Sequence, residues 1–165
     1  MAIIKHFIFR FHLIIFFLLL LITMILFVVI QSFNSQTLLT IIGSLAAFVY
    51  FIQVQQLQKL RLFKELFQEF NGRYDKLNEG LYQIMREEPN KTLSDNDMVV
   101  LFDYFNLCSE EYLYYKRGYI GPDVWKSWKN GMLYLFKNKR IKDAWEIETE
   151  NNSYYGFEEE IAENL

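Results

Sequence analysis

The feature that most constrains this chain is a pair of 18-residue stretches without a charged side chain, Leu13–Ile30 and Thr37–Val54. At 1.5 Å per residue a helix of that length covers ~27 Å, close to the ~30 Å hydrocarbon core of a bilayer. Thr23 is the only clearly polar member of the first stretch, and Phe7, Ile8, Phe9 and Phe11 can extend it if Arg10 and His12 snorkel to the interface. The second stretch is less apolar, carrying Thr40, Ser44, Tyr50 and Gln53. Gln31–Gln36 reads as a polar turn between two spans. A cleaved signal peptide is the competing reading of the first stretch, but its apolar run is longer than a signal core and no small-x-small site follows.

Charge placement gives an orientation. Lys5 and Arg10 precede the first span, Lys59, Arg61 and Lys64 follow the second, and the connecting turn has no charge. Lys and Arg near span ends stay on the cytoplasmic side. The expectation is therefore a multi-pass membrane protein with both termini cytoplasmic. Gly43 and Ala47 lie four apart on one face of the second span, with Ser44 and Ala46 alongside, and small residues at that spacing let helices approach closely in lipid. Two partners fit this face: the first span of the same chain, or a second copy from which a leak could be built. Neither span carries a charge, which argues against a proton relay or a selective ion path.

Beyond the spans the periodicity stays helical. Leu60, Phe63, Phe67, Phe70, Tyr74, Leu77, Leu81 and Ile84 alternate steps of three and four, a heptad seam that suits either an intrachain bundle or a dimeric coiled coil. No Pro separates this seam from the second span, so one long helix is expected to run to about Glu87, weakened at Gly72 and Gly80, with a kink conceivable at Asn71-Gly72, and ended by Pro89. Ser94 and Asp97 form a capping-box pattern that opens a second helix, stopped at Arg117-Gly118. Its seam of Met98, Leu101, Phe105, Cys108, Tyr112 and Tyr115, widened by Phe102, Tyr104 and Leu107, marks it as central, with Cys108 a small core residue. Gly121-Pro122 opens a third helix with Trp125, Trp128, Met132, Leu135 and Phe136 on its apolar face, and a last helix covers Ile141–Ile147. The remaining residues form an acidic tail from which Ser153–Phe157 docks on the bundle. The expected organisation is all-α: a transmembrane hairpin in residues 1–55, a cytosolic helical bundle in 56–150 and a tail in 151–165.

No catalytic constellation is present. There is no phosphate loop, dinucleotide turn or zinc spacing, and both histidines, His6 and His12, sit at the membrane border. Glu110 and Glu111 are adjacent on a helix, point in different directions, and read as surface or interface charge. The chain is expected to need no cofactor and to be no enzyme. The most informative polar feature is a basic block: Lys126, Lys129, Lys137, Lys139, Arg140 and Lys142 fall within 17 residues containing no acid. It suits a solvated face paired with the acidic tail, or contact with anionic lipid or nucleic acid.

The run from Phe102 through Asn106, Ser109, Glu111 and Tyr115 to Ile120, followed by Trp125-Lys126-x-Trp128 and Gly131-Met132, resembles a family of small bacterial membrane proteins with N-terminal spans and a helical cytosolic region. That likeness covers residues 95–157. The two-span layout is also similar in architecture to membrane effectors of phage-defence systems, especially the two-transmembrane proteins encoded with retrons. This second resemblance implies a toxin held silent by a protein–nucleic-acid regulator, a reverse transcriptase–DNA complex, and released on infection to damage the inner membrane. The leading expectation is thus a membrane effector; a passive membrane-anchored adaptor is the alternative and an enzyme the third reading. Expected partners are the lipid bilayer, a second copy through the second span or the 60–84 seam, and a cytosolic regulator.

Overall fold

A computed structural model describes residues 2–29, 35–151 and 153–162. Every regular element among these residues is helical: α1 Ala2–Val29, α2 Ser35–Arg86, α3 Asp95–Lys116, α4 Pro122–Phe136, α5 Lys139–Glu148 and α6 Phe157–Ala162, with a 3₁₀ turn at Thr149–Asn151. The chain divides into two compact units, Met1–Arg61 and Leu62–Leu165. The division falls inside α2, six residues beyond the boundary expected at 55.

In the first unit, Ser35 and Gln36 already belong to α2, so they are helical and not part of a turn. The rest of the expected turn lies outside the described residues. α2 is the one helix among the described residues that is long and apolar enough to cross a membrane, and only 6% of its apolar window is buried. In α1 the described apolar run is Ile14–Phe27, about 21 Å of helix at 1.5 Å per residue. Ile15, Phe16 and Leu19 of α1 share a small cavity of about 20 Å³ with Leu45, Val49 and Ile52 of α2. The hydroxyls in these apolar helices are spent locally. Thr23 donates to the Leu19 carbonyl, Thr40 to Gln36 and Ser44 to Thr40, so these three hydroxyls are not left bare in an apolar surface.

The second unit is built around α3, which packs against α4, α5 and α6. Its start is the expected capping box: the Ser94 hydroxyl accepts from the Asp97 N–H and the Asp97 carboxylate accepts from the Ser94 N–H. Its end is fixed by Gly118 at φ +77°, where the Gly118 and Tyr119 N–H groups donate back to the Tyr115 and Tyr114 carbonyls. Pro122 opens α4 at its first turn, where a missing N–H costs nothing. α2 passes Asn71-Gly72 and Gly80 as one unbroken helix and ends at Arg86, ahead of Pro89. At Gly80 the missing side chain matters, because a Cβ there would sit 3.0 Å from a Val100 methyl of α3.

The 60–84 seam is used unevenly. Phe70, Leu81 and Ile84 are buried in the unit's own core, whereas Phe67 stays partly exposed and stacks on Trp128 at 5.7 Å. Those three buried residues therefore serve the intrachain bundle. The core is strongly aromatic: Phe105 stacks on Phe136 at 5.8 Å, and Trp145 packs edge-on to Phe105 at 5.0 Å and to Phe157 at 5.5 Å. Phe157 and Ile161 are fully buried, so the core extends past the boundary expected at 150. Residues expected as tail form a tight turn, Tyr154–Phe157, with Tyr155 at φ 58° and Gly156 at φ 83°, and then α6. The last residues of that tail lie outside the described residues.

Candidate functional site

The second unit contains a cavity of about 200 Å³ between α2, α3 and α4. α2 contributes Tyr74, α3 contributes Tyr104, Cys108 and Glu111, and α4 contributes Trp128 and Met132. Tyr104, Cys108 and Glu111 share a wall because positions i, i+4 and i+7 fall on one helix face. Glu111 is 7% exposed, and among the described residues it makes no hydrogen bond or ion pair. Its neighbour points elsewhere: Glu110 takes both arms of the Arg73 guanidinium, at 2.5 and 3.3 Å. Arg73 is therefore satisfied outside the cavity.

Burial pushes the Glu111 carboxyl up to about 8, against the pull of the Arg73 charge and with help from Glu110. Burial also raises the Tyr104 hydroxyl and the Cys108 thiol well above their ordinary values, and Tyr74 more modestly. A buried thiol held in its protonated form is a poor nucleophile, so Cys108 is a wall and not a reagent. The reading of Glu110 and Glu111 as surface or interface charge is corrected here for Glu111, which is buried in the cavity wall. The signal was available, since Glu111 continues the Tyr104, Leu107, Cys108 face at helical spacing.

The basic block does not form one face. Arg140 is buried at 3% exposure. Its guanidinium donates to the Ile84 carbonyl at 2.8 Å and the Lys91 carbonyl at 2.9 Å, and it pairs with Glu87 at 2.8 Å and Asp97 at 3.6 Å. It therefore ties the end of α2, the following loop and the first turn of α3 to the start of α5. The Lys91 contact holds Glu87 below the usual carboxylate range, and the Ser94 N–H does the same for Asp97, with Arg140 adding to both. Lys129 pairs with Glu160 of α6 at 2.6 Å. Lys139 pairs with Asp143 and Lys142 reaches Glu146 at 3.9 Å, each one helical turn along α5. Lys126 and Lys137 are exposed.

In the first unit, Gly43, Ser44 and Ala47 are all exposed, and a Cβ at Gly43 would meet nothing within 4 Å. The α2 side chains that line the small cavity with α1 are Leu45, Phe48, Val49 and Ile52. At about 100° per residue, Gly43 and Ala47 lie roughly opposite that face. Of the two partners weighed for the small-residue face, α1 is not the one that covers it.

No protein-family model, curated protein or solved structure matches this chain.

The chemistry therefore rests on the geometry alone. Among the described residues, the second unit offers a buried carboxyl without hydrogen bond or ion pair in an aromatic cavity, and the thiol beside it is held protonated. Such an arrangement suits binding better than covalent catalysis. The first unit offers an apolar surface with one flat, small-residue face left open.

Proposed function

We propose that the chain is a small bacterial inner-membrane effector, anchored as a two-span hairpin with both termini cytoplasmic, whose spans self-associate to perturb the bilayer and whose bundle meets a cytosolic regulator. The anchoring part is supported by two things. The Lys and Arg residues cluster at the outer ends of both apolar stretches. The large side chains of both helices, such as Phe17, Leu21, Ile25, Leu39 and Phe51, are exposed over an area that a water-soluble unit would cover.

The observation that carries the effector reading is the open face of Gly43 and Ala47, set opposite the residues that meet α1, with the exposed Ser44 to its side. A passive anchor has no use for a close-approach face that its own partner span leaves uncovered. The two-span phage-defence effectors are the architectural likeness for such a device.

The test compares wild type with Gly43→Leu at matched membrane levels, read with a potential-sensitive dye in bacteria. Leucine meets open space at this position, so insertion is unaffected and only association between copies is blocked. Wild type should depolarise the membrane and the variant should not. No depolarisation by either, with the natural trigger present, leaves the adaptor reading. Reporter fusions within Gln31–Gln36 and after Leu165 should report opposite sides; a cytoplasmic signal from the first refutes the topology.

A further inference from the structure

The Glu111 cavity belongs to the second unit, and its composition is specific. A cavity of roughly 150 Å³ suffices to hold benzene, so about 200 Å³ admits a ligand of five to eight non-hydrogen atoms. The lining holds no cationic side chain, and the nearest guanidinium, Arg73, is engaged by Glu110. Glu111 is thus 7% exposed as a residue and makes no hydrogen bond or ion pair among the described residues, the Arg73 charge acting on it only from a distance. Around it stand three aromatic side chains, Tyr74, Tyr104 and Trp128, whose ring faces carry negative potential. One acid and aromatic rings favour a cation whose surface is hydrocarbon. A hard metal ion is disfavoured, since it takes six or more oxygen ligands, and among the described residues no group of three acidic, His or Cys side chains could hold one.

We propose that this cavity binds a small alkylammonium ion, its charge met by the Glu111 carboxylate and its alkyl surface by Tyr74, Tyr104 and Trp128. The charged groups around the site are few. α2 brings Arg73 and α3 brings Glu110, besides the titratable Tyr74, Tyr104 and Cys108, while the α4 residues lining the cavity bring none. Ligand binding is therefore coupled to loss of the Glu111 proton.

The experiment is isothermal titration of the full-length protein in detergent micelles with tetramethylammonium and with choline, and with 3,3-dimethyl-1-butanol as the uncharged shape-mate of choline. The two cations should bind and the alcohol should not. The apparent Kd should fall about tenfold per pH unit from pH 6 to pH 8 and level off above, with about one proton released per ion bound at pH 6. Glu111→Gln, which keeps the shape, should weaken the cations by about ten- to a hundredfold at pH 8.5 and remove the pH dependence. Gly131→Leu provides an independent block: Gly131 lines the cavity from exposed helix surface, and leucine there should occlude it without touching the acid. Nanodiscs of phosphatidylglycerol with or without phosphatidylethanolamine separate the two sources of such an ion. A headgroup that occupies the cavity weakens the soluble probe only when ethanolamine lipid is present, and a free amine leaves the probe unaffected. Equal binding of the alcohol, unchanged cation affinity in Glu111→Gln, or no cation binding by the folded wild type would each overturn the proposal.

Discussion

Replacing Glu111 by Gln should make the second unit more stable, by an amount that grows with pH. The folded carboxyl titrates near 8 and its ordinary value is 4.5. Between those values the unfolded chain has released the proton and the folded chain keeps it, so stability falls as pH rises and levels off above 8. Below 4.5 both states hold the proton and the effect vanishes. At about 1.4 kcal/mol per pH unit the whole interval amounts to about 5 kcal/mol. This is large beside the 5–15 kcal/mol by which domains are ordinarily stable. Glutamine fills the same space and does not ionise. Urea unfolding of the full chain in micelles, followed by near-ultraviolet circular dichroism of the aromatic core, gives the free energy at pH 5 to 9 for both proteins. The difference between variant and wild type should climb by about 1.4 kcal/mol per pH unit up to pH 8. Glu87 and Asp97, both held below their ordinary values, lose their contribution only in acid, and the comparison cancels them. Parallel stability profiles would refute the burial argument, because they require Glu111 to titrate alike in both states.

Arg140→Met should cost about 3 kcal/mol or more in the same unfolding assay, because it leaves Glu87 and Asp97 without their shared cation and two carbonyls without a donor. Arg140→Lys should recover little of it, since a compact ammonium cannot reach all four groups. Gly80→Ala should lower the unfolding midpoint despite alanine's better helix propensity, because its Cβ meets Val100 at 3.0 Å; Gly72→Ala, in open space, should raise stability by about 0.5–1 kcal/mol. Ser94→Ala should cost about 1 kcal/mol by removing one half of the capping box, measurable as a lower melting temperature.

The elements that were legible in the sequence are those set by local chemistry. Ser94 with Asp97, Gly118 after Arg117, and Pro122 after Gly121 each act within one helical turn, so their neighbours in sequence suffice to place them. α6 was missed because Glu158, Glu159 and Glu160 give it the look of a solvated tail. Its core contacts come from only Phe157 and Ile161, one turn apart, and α3 has to be present for them to bury anything. Arg140 was read as one of six similar basic residues. What distinguishes it is the meeting of Glu87, Asp97 and two carbonyls around its head, a property of how α2, α3 and α5 come together. The same holds for the cavity: Glu111 could be placed on the apolar face from spacing, but Tyr74 and Trp128 reach it only through packing of α2 and α4.

Cys108 is the single thiol of the chain, and its side chain is 1% exposed in the cavity wall. While the bundle is closed, burial keeps bulky disulfide reagents from this thiol; it becomes reactive to them when α2, α3 and α4 part. The rate at which an added disulfide reagent labels the native protein therefore counts opening events directly, without an introduced probe, and an occupant of the cavity slows that clock. Two unfolded copies, by contrast, can join through this one sulfur. A covalent dimer on a non-reducing gel thus marks chains that have lost their fold.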